Sequence, residues 1–329
     1  MRIIDRPRSL LALLAACLLL GGCGSGPSQV GSAIIFGDRQ ITVDQVQDLL
    51  DKAVQEQPAA QQLSRQHKLD LLGRELVRQL VIHEAVTRAA QRDGLVPDRA
   101  LLEDTLADDP LADPVSTTGT DPSRMAQQIA YRVRDHREVV TDQLLLQAMG
   151  QKYVDRLAVT FDYTSVVSDD GGAHPVDRRD KAIGRAERMA ASPEAAAEVI
   201  RADAAAGEQT GVGERVPASQ APDLATMVPF GVQPGTVVAF RPSQEQEVWI
   251  VAVVRERDLN APVVDDHAPA PSAGQLAAIG QRLLQPYVDG AGVRINPRYG
   301  VWDPVAMDLA PSSAETAGVV VPVKGAAQS

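Results

Sequence analysis

Apolar residues recur every three or four positions through the first half of the chain. This spacing predicts a helix that begins after Thr42 and ends near Pro58, a longer helix over residues 61–92 and another over residues 123–156. Thr42 and Gln45 have the Thr-x-x-Gln pattern of a capping box, which satisfies free amides at a helix N-terminus. Ahead of them, "SAIIFGDRQIT" predicts two short strands around a Gly-Asp turn. The first half is therefore predicted to be mainly helical.

The pattern changes at Leu157, where β-branched and aromatic residues replace the helical spacing. "LAVTFDYTSVVS" and "QEVWIVAVVRERD" are typical of strands, whereas "RRDKAIGRAERMAA" and "SPEAAAEVIRADAAAG" are typical of helices, with Ser192 capping the second. "EQTGVGERVP" is predicted to be a glycine-containing loop, and "PDLATMVPFGVQPGTVVAF" a short helix, a turn and a strand. This order predicts an α+β module over residues 157–258.

The C-terminal part combines a linker, one more helix and a tail. Pro, Asp and Ala dominate residues 259–274, which predicts a linker. Residues 275–304 hold a helical pattern followed by the β-compatible stretch "GVRIN". Residues 305–329 show no apolar period, so we expect a disordered tail.

The N-terminus has the features of a bacterial lipoprotein signal. Three arginines precede an apolar run over residues 10–20, and the last leucine of the run begins the sequence "LGGC" at residues 20–23. The run is far shorter than the roughly 20 residues that span a bilayer. We therefore expect residues 1–22 to be a signal peptide, Cys23 to be lipidated, and residues 23–32 to tether the protein to the extracytoplasmic face of the cell membrane.

The composition argues against several classes of site. The formal net charge is −11 at pH 7, which disfavours nucleic acid as a partner. The two cysteines are Cys17 and Cys23, so no thiol would remain free for a disulfide or a metal site in the lipidated protein. "HEAVT" at His83 has Thr87 where the zinc-protease helix motif has its second histidine. We expect no metal and no cofactor.

The other polar groups are expected to serve structure. His83 should lie at the edge of the core. Arg132, Arg134 and Arg137 alternate with acidic residues, which predicts a solvated helix face with local ion pairs. His174 follows the turn sequence "DDGG" and is expected to be exposed. A displaced catalytic histidine is the alternative interpretation of His174.

The order of these elements resembles the SurA/PrsA class of extracytoplasmic chaperones. "AIIFGDRQITVDQVQDLL" looks like the family's first strand, turn and first helix, and "HEAVTRAAQRDGLVPDRALLEDTL" resembles its Ala-rich helix, turn and short helix. "TMVPFGVQPGTVVAFRPSQEQEVWIVAVVRER" resembles the closing helix, turn and two strands of a parvulin-type peptidyl-prolyl isomerase. The resemblance implies an α+β fold with a mainly helical, SurA N-terminal-like domain over residues 33–156. A parvulin-like module would cover residues 157–258, and residues 275–304 would return to the helical domain.

The same resemblance gives the stretch after the last helix a structural role. In the family's layout this stretch pairs with the N-terminal strand, so Val293–Ile295 would pair with Ala33–Ile35. Pro297 lacks a ladder donor and would end the strand. Two aromatic residues would then pack as a lid on the helical domain. The predicted closure consists of Ala33, Ile34, Ile35, Val293, Ile295, Tyr299 and Trp302.

The sequence departs from parvulins at the catalytic positions. The family uses two histidines with a Cys or Asp in one hydrogen-bonded cluster. "VTFDYTSVV" has no histidine, and "EVWIVAVV" offers Trp249 instead. Asp162 and Tyr163 are the remaining candidates, and they do not reproduce the cluster. We therefore do not expect efficient isomerase chemistry.

The sequence thus predicts a membrane-anchored holdase that binds unfolded or nascent exported polypeptides. An adaptable apolar cleft between the helical domain and the module would bury extended segments reversibly. One alternative is an active isomerase with a rebuilt site, and another is an envelope scaffold lipoprotein. The candidate client-binding residues are Met125, Ile129, Met149, Met227, Phe230 and Trp249. Ordinary core packing is the competing interpretation of each.

Overall fold

Helices account for 52% of the structure and strands for 20%, with several sheets, which agrees with the predicted α+β class. The computed structural model describes residues 31–167, 175–243, 245, 248–263 and 270–325, without the side chains of residues 175–177. Within these residues, every paired strand is antiparallel to its neighbour. None of the described helices is long and apolar enough to cross a bilayer.

The chain begins with the predicted hairpin. Strands β1 (Ser32–Phe36) and β2 (Arg39–Thr42) pair around Gly37, whose φ of 62° suits a residue without a Cβ. The Thr42 hydroxyl accepts a hydrogen bond from the Gln45 amide, and the Gln45 side chain accepts one from the Thr42 amide. This reciprocal cap fixes the start of the first helix at the predicted residue.

Six helices follow and, with the hairpin, form what we call the helical region. They are α1 (Val43–Glu56), α2 (Pro58–Arg65), α3 (Leu69–Asp93), α4 (Arg99–Asp108), α5 (Pro122–Val133) and α6 (His136–Tyr153). The two long predicted helices are therefore each broken once. The second break has a local cause, because the Asp135 carboxylate accepts a hydrogen bond from the Glu138 amide and starts a new helix.

Residues 158–258 build what we call the sheet region. Its elements are β3 (Ala158–Val166), α7 (Pro175–Met189), α8 (Pro193–Ala205), β4 (Thr210–Pro217), α9 (Pro222–Ala225), β5 (Thr236–Phe240) and β6 (Trp249–Asp258). The loop predicted at "EQTGVGERVP" is wrong, because most of it forms β4 along the edge of β3. Gly213, with φ of 67°, and a register shift interrupt this strand and explain its weak sequence pattern.

The rest of the chain, residues 270–325, is named here the return segment. It contains α10 (Ala273–Leu283), α11 (Gln285–Ala291), β7 (Arg294–Ile295), β8 (Val301–Asp303), β9 (Asp308–Ala310) and β10 (Gly318–Pro322). The prediction of a disordered tail over residues 305–329 is wrong for residues 305–325. β10 pairs with β5 over five residues and completes a sheet of order β10-β5-β6-β3-β4. The strand needs β5 as its partner, and no periodic pattern within the tail could reveal that pairing.

The core crosses the boundary expected at Leu157. One cluster of buried residues joins Leu72 and Met149 of the helical region to Val238 and Phe240 of β5 and Ile279 of α10. A second cluster lies between the other face of the sheet and the helices α7 and α8. The helical and sheet regions therefore share one continuous core, with the return segment packed into both sides of it.

Two glycines let the return segment approach the helical region very closely. A Cβ at Gly150 of α6 would collide with the backbone carbonyl of Leu276, and one at Gly280 of α10 with the carbonyl of Leu146. The two helices thus meet backbone to backbone, each through the other's glycine. We call this contact the glycine seam. At these two positions there is no room for a side chain between α6 and α10.

Candidate functional site

Asp162, the first catalytic candidate, is a buried structural carboxylate in β3. Its Oδ1 accepts a hydrogen bond from the Gly213 amide at 2.7 Å, and its Oδ2 accepts one from Arg255 Nε at 2.7 Å. Arg255 Nη2 lies 2.6 Å from the same oxygen. Both oxygens are therefore occupied in tying β3 to the strands on either side. A carboxylate held in this way has little capacity left to polarise an X-Pro bond.

Tyr163, the second candidate, lies on the opposite face of the sheet from Asp162. Asp162 pairs with Val253, which belongs to the core under α7 and α8, whereas Tyr163 pairs with Ala252 of the main core. The ring of Tyr163 covers Gly211, where a Cβ would collide with it. The two candidates cannot share one catalytic cluster, because the sheet separates them.

Most of the predicted client-binding residues are core residues. Met125, Ile129, Met149 and Phe230 are at most 1% exposed, and Trp249 is 6% exposed beneath α7. Met227 is half-buried against the main core. The prediction that these side chains line an open cleft is wrong for Met125, Ile129, Met149 and Phe230, whereas Trp249 contributes to the wall of an open cavity of about 600 Å³. The large apolar residues that the sequence offers are those that the core needs, so residue type alone could not separate the two roles.

The predicted closure of the chain ends is present as a strand pair. Ile34 pairs with Ile295 and Ile35 with Arg294, and the Asn296 amide donates to the Ala33 carbonyl at 2.9 Å. Val293 lies just before β7 and packs against the main core. Tyr299 is 4% exposed and lies against Gly73 of α3, and Trp302 is half-buried on the same core. This stretch is therefore scaffold in the described structure.

An open cavity lies where the return segment meets the sheet region. Its volume is about 560 Å³, within the roughly 300–1,000 Å³ typical of ligand pockets. We call it the apolar cleft. Its walls come from the turn before β5, from β10 and from the β8–β9 connection. Its apolar lining residues are Val232, Pro234, Pro304, Val320, Pro322 and Val323.

One carboxyl group stands at the rim of the apolar cleft. Asp289 of α11 is an exposed residue that lines the cleft. Loss of hydration beside its neighbours raises the pKa of Asp289 to about 6, against the attraction of the Arg282 guanidinium. The rim is therefore negatively charged at neutral pH and loses that charge in mildly acidic solution.

Buried polar groups hold the Pro304 wall of the cleft in place. Arg282 of α10 is 6% exposed and donates to the carbonyls of Thr226, Pro304 and Val305 at 2.9, 3.3 and 2.8 Å. Burial lowers the pKa of Arg282 to about 10. Asp303 accepts hydrogen bonds from the amides of Val305 and Ala306 at 2.9 and 3.2 Å. The turn after β8 is thus fixed from both sides, so the cleft has one rigid wall.

The helical region contains a continuous polar network that the sequence did not reveal. Arg134 is 5% exposed, so the prediction that it lies on a solvated face is wrong. Its Nη2 donates to Asp142 Oδ2 at 2.9 Å, and Asp142 Oδ1 lies 2.8 Å from His83 Nδ1. Through Gln79 and Glu75 the network extends to Arg78. The break between α5 and α6 turns Arg134 inward, which a continuous helix would not do.

His83 is the titratable end of this network. The hydrogen bond to Asp142 raises the pKa of His83 above its usual value, and desolvation and the nearby Arg134 oppose the rise. No group of three or more His, Cys, Asp or Glu side chains among the described residues is arranged to hold a metal ion. Cys23, His174 and His267 lie outside the described residues, and the predictions made for Cys23 and His174 stay predictions.

Comparison with known proteins adds no relative to these observations. No protein-family model matches the chain, no curated protein matches its sequence, and no solved structure matches its fold.

Proposed function

We propose that this protein is a membrane-anchored extracytoplasmic holdase of the SurA/PrsA type. In this proposal, residues 33–156 form the SurA N-terminal-like part and residues 157–258 a parvulin-like module that has lost efficient prolyl isomerase chemistry. A lipid at Cys23 would hold it on the outer side of the cell membrane. Its partners would be unfolded or nascent exported polypeptides.

The observation that carries the proposal is the apolar cleft. It is open, it is lined mainly by valine and proline, and Asp289 is the one charged side chain among its lining residues. Such a surface offers apolar contact without the ordered donors that select one small ligand. It lies between the sheet region and the return segment, so an extended segment could be buried there reversibly.

The state of Asp162 and Tyr163 supports a function without catalysis. Both carboxylate oxygens of Asp162 already accept hydrogen bonds, from Gly213 and Arg255, and Tyr163 lies on the other face of the sheet. An isomerase must lower a barrier of roughly 18–20 kcal/mol with groups that converge on one bond. Neither candidate is placed to act together with the other.

The deciding experiment measures light scattering of an unfolded client protein as it aggregates, with and without the protein lacking residues 1–23. We expect suppressed aggregation at near-equimolar ratio, and no acceleration of cis/trans exchange in an X-Pro peptide. Acceleration of that exchange that Tyr163→Phe abolishes would instead support the isomerase. Neither activity, together with one stoichiometric envelope partner, would support the scaffold.

The charge at the cleft rim sharpens this test. Because Asp289 becomes neutral below a pKa of about 6, we expect an apolar peptide to bind more tightly at pH 5 than at pH 7.5. Asp289→Asn should bind equally at both pH values. A pH dependence that survives Asp289→Asn would place the binding site elsewhere.

A further inference from the structure

Four cations and two tyrosines converge where the helical region, β6 and α11 meet. Lys152 and Arg156 lie at the end of α6, with the Lys152 Nζ and the Arg156 Cζ 5.2 and 5.4 Å from the centroid of the Tyr153 ring. At the end of α3, the Arg92 Cζ lies 5.6 Å from the centroid of the Tyr287 ring. We name these groups the Arg–Tyr cluster. Its members are Arg92, Lys152, Tyr153, Arg156, Arg257 and Tyr287.

Arg257 joins this cluster through both tyrosines. Its Nε donates to the Phe230 carbonyl at 2.8 Å, and both Tyr153 and Tyr287 are close enough to act on its charge. Burial lowers the pKa of Arg257 to about 10, so the guanidinium remains charged at neutral pH although it has lost much of its hydration. A cation in this state gains more from a bound anion than a fully hydrated one.

The cluster carries excess positive charge in an acidic chain. Asp93 is the carboxylate within it, and it accepts a hydrogen bond from Tyr153 Oη at 2.7 Å and lies 3.4 Å from Lys152 Nζ. Arg92, Arg156 and Arg257 form no ion pair with any described residue. On a chain of net charge −11, a local excess of this sign attracts anions by its field.

The chemistry of the cluster favours a polypeptide over a lipid surface. Three of its four cations are arginines, whose planar forks bind carboxylates with two parallel hydrogen bonds. Two of the chain's five tyrosines lie among them, in a sequence with only 3% aromatic residues. Tyrosine and arginine together are enriched at the energetic centres of protein interfaces, whereas membrane-surface patches depend on runs of Lys and Arg.

We propose that the Arg–Tyr cluster binds acidic segments of polypeptide partners. Carboxylates of such a segment would pair with the guanidinium groups of Arg92, Arg156 and Arg257, while the tyrosine rings contact its backbone. The inference rests on the proposed function insofar as the partner is a polypeptide. It adds a preference for acidic segments, which the apolar cleft with Asp289 at its rim does not have.

The test is fluorescence anisotropy of labelled, unstructured peptides with the full-length protein in a mild non-ionic detergent. We expect a peptide of repeating Glu-Gly-Ser units to bind, and its Gln-Gly-Ser counterpart of equal length to bind at least about tenfold more weakly. Raising the ionic strength from about 0.05 to about 0.3 M should weaken the binding of the acidic peptide most, because its contacts are charged. Equal binding of both peptides would overturn the proposal.

Matched variants assign the binding to the cluster. The double variant Arg92→Gln/Arg156→Gln should weaken the binding of the acidic peptide about tenfold. Arg188→Gln/Arg201→Gln removes the same charge from exposed helix positions elsewhere and should bind as the parent does. Arg92→Lys/Arg156→Lys keeps the charge and the fold but loses the planar guanidinium groups. Its affinity for the acidic peptide should lie between those of the two glutamine variants. Equal effects of the Arg92/Arg156 and Arg188/Arg201 variants would contradict the assignment.

Three further measurements distinguish the Arg–Tyr cluster from the apolar cleft and from other partners. Val320→Thr should weaken the binding of apolar peptides and leave the binding of the acidic peptide unchanged. Each of the two proposed sites can therefore be refuted without the other. Binding to vesicles that contain phosphatidylglycerol, without binding to the acidic peptide, would assign the cluster to a membrane surface and overturn the proposal. Dimerisation that Arg92→Gln abolishes, again without peptide binding, would assign it to a second copy of the chain.

Discussion

The return segment meets the rest of the protein in two very different ways. Against the helical region it forms the glycine seam, where Gly150 and Gly280 bring two helix backbones into contact. Against the sheet region it adds the strand β10 and leaves the apolar cleft of about 560 Å³ beside it. The same segment therefore packs backbone to backbone at the first boundary, beside a smaller cavity of about 230 Å³ between α6 and α10, and leaves the larger apolar cleft at the second.

The difference separates scaffold from candidate function. Close packing of backbones admits no ligand and fixes the position of α10, from which Arg282 reaches the wall of the cleft. The open side has apolar walls, half-buried side chains and one titrating carboxyl group. The sealed contact thus positions the open one, and changes to each should affect different measurements.

The largest effect on stability is expected from adding a methyl group within the glycine seam. In Gly280→Ala the new methyl group would collide with the Leu146 carbonyl, and helix backbone cannot move aside as a flexible side chain can. We expect the free energy of unfolding to fall by about 3 kcal/mol. Urea denaturation followed by circular dichroism measures it.

Gly184→Ala provides the matched control for the seam. Gly184 also lies within a helix, α7, and a Cβ there would meet no atom within 4 Å. Alanine favours helix over glycine by up to about 1 kcal/mol, so this variant should be slightly more stable than the parent. If both variants behaved alike, the glycine seam would not be the close contact described.

The next largest effect is expected where the sealed and the open boundary are linked. Arg282→Gln leaves the carbonyls of Pro304 and Val305 without their buried donor, at a cost of about 2 kcal/mol. It should also weaken apolar-peptide binding, because the Pro304 wall loses its support. Arg294→Gln removes an exposed arginine from the same segment and should change neither quantity. Loss of stability with unchanged binding would show that the wall does not shape the cleft.

Local signals in the sequence predicted the helical region well and the open boundary poorly. The capping box at Thr42 and the cap at Ser192 depend on a few neighbouring residues, and each lies where it was predicted. β10 depends on β5, which lies about eighty residues earlier, and Arg134 is buried because of a helix break. "GVVVPV" within the expected tail was the available signal for a strand, since three successive valines favour β structure.

A smaller effect is expected from one hydroxyl group in the cleft. Val320 faces the cleft and Val321 the opposite core, so Val320→Thr and Val321→Thr make the same change on the two faces of β10. Thr keeps the shape and β propensity of Val but adds a polar group that an apolar peptide would bury. We expect Val320→Thr to weaken apolar-peptide binding about five- to tenfold and Val321→Thr to leave it unchanged. Equal weakening by both would mean that the cleft is not the binding surface.

The smallest effect is expected from His83, which tests the sealed side through pH. Its hydrogen bond to Asp142 raises the folded-state pKa of His83 above the unfolded value of about 6.5. The charged pair therefore stabilises the fold fully below about pH 6.5, and this contribution is lost as pH rises through the folded-state pKa. Thermal midpoints of the parent should fall from pH 5.5 to pH 8.5 more than those of His83→Gln.

His67→Asn removes an exposed histidine and should keep the parent's pH dependence. Apolar-peptide binding also changes with pH through Asp289, but His83→Gln should leave that change as it is in the parent, because neither His83 nor Asp142 lines the cleft. A binding transition that His83→Gln removes would show instead that the sealed and open sides are coupled.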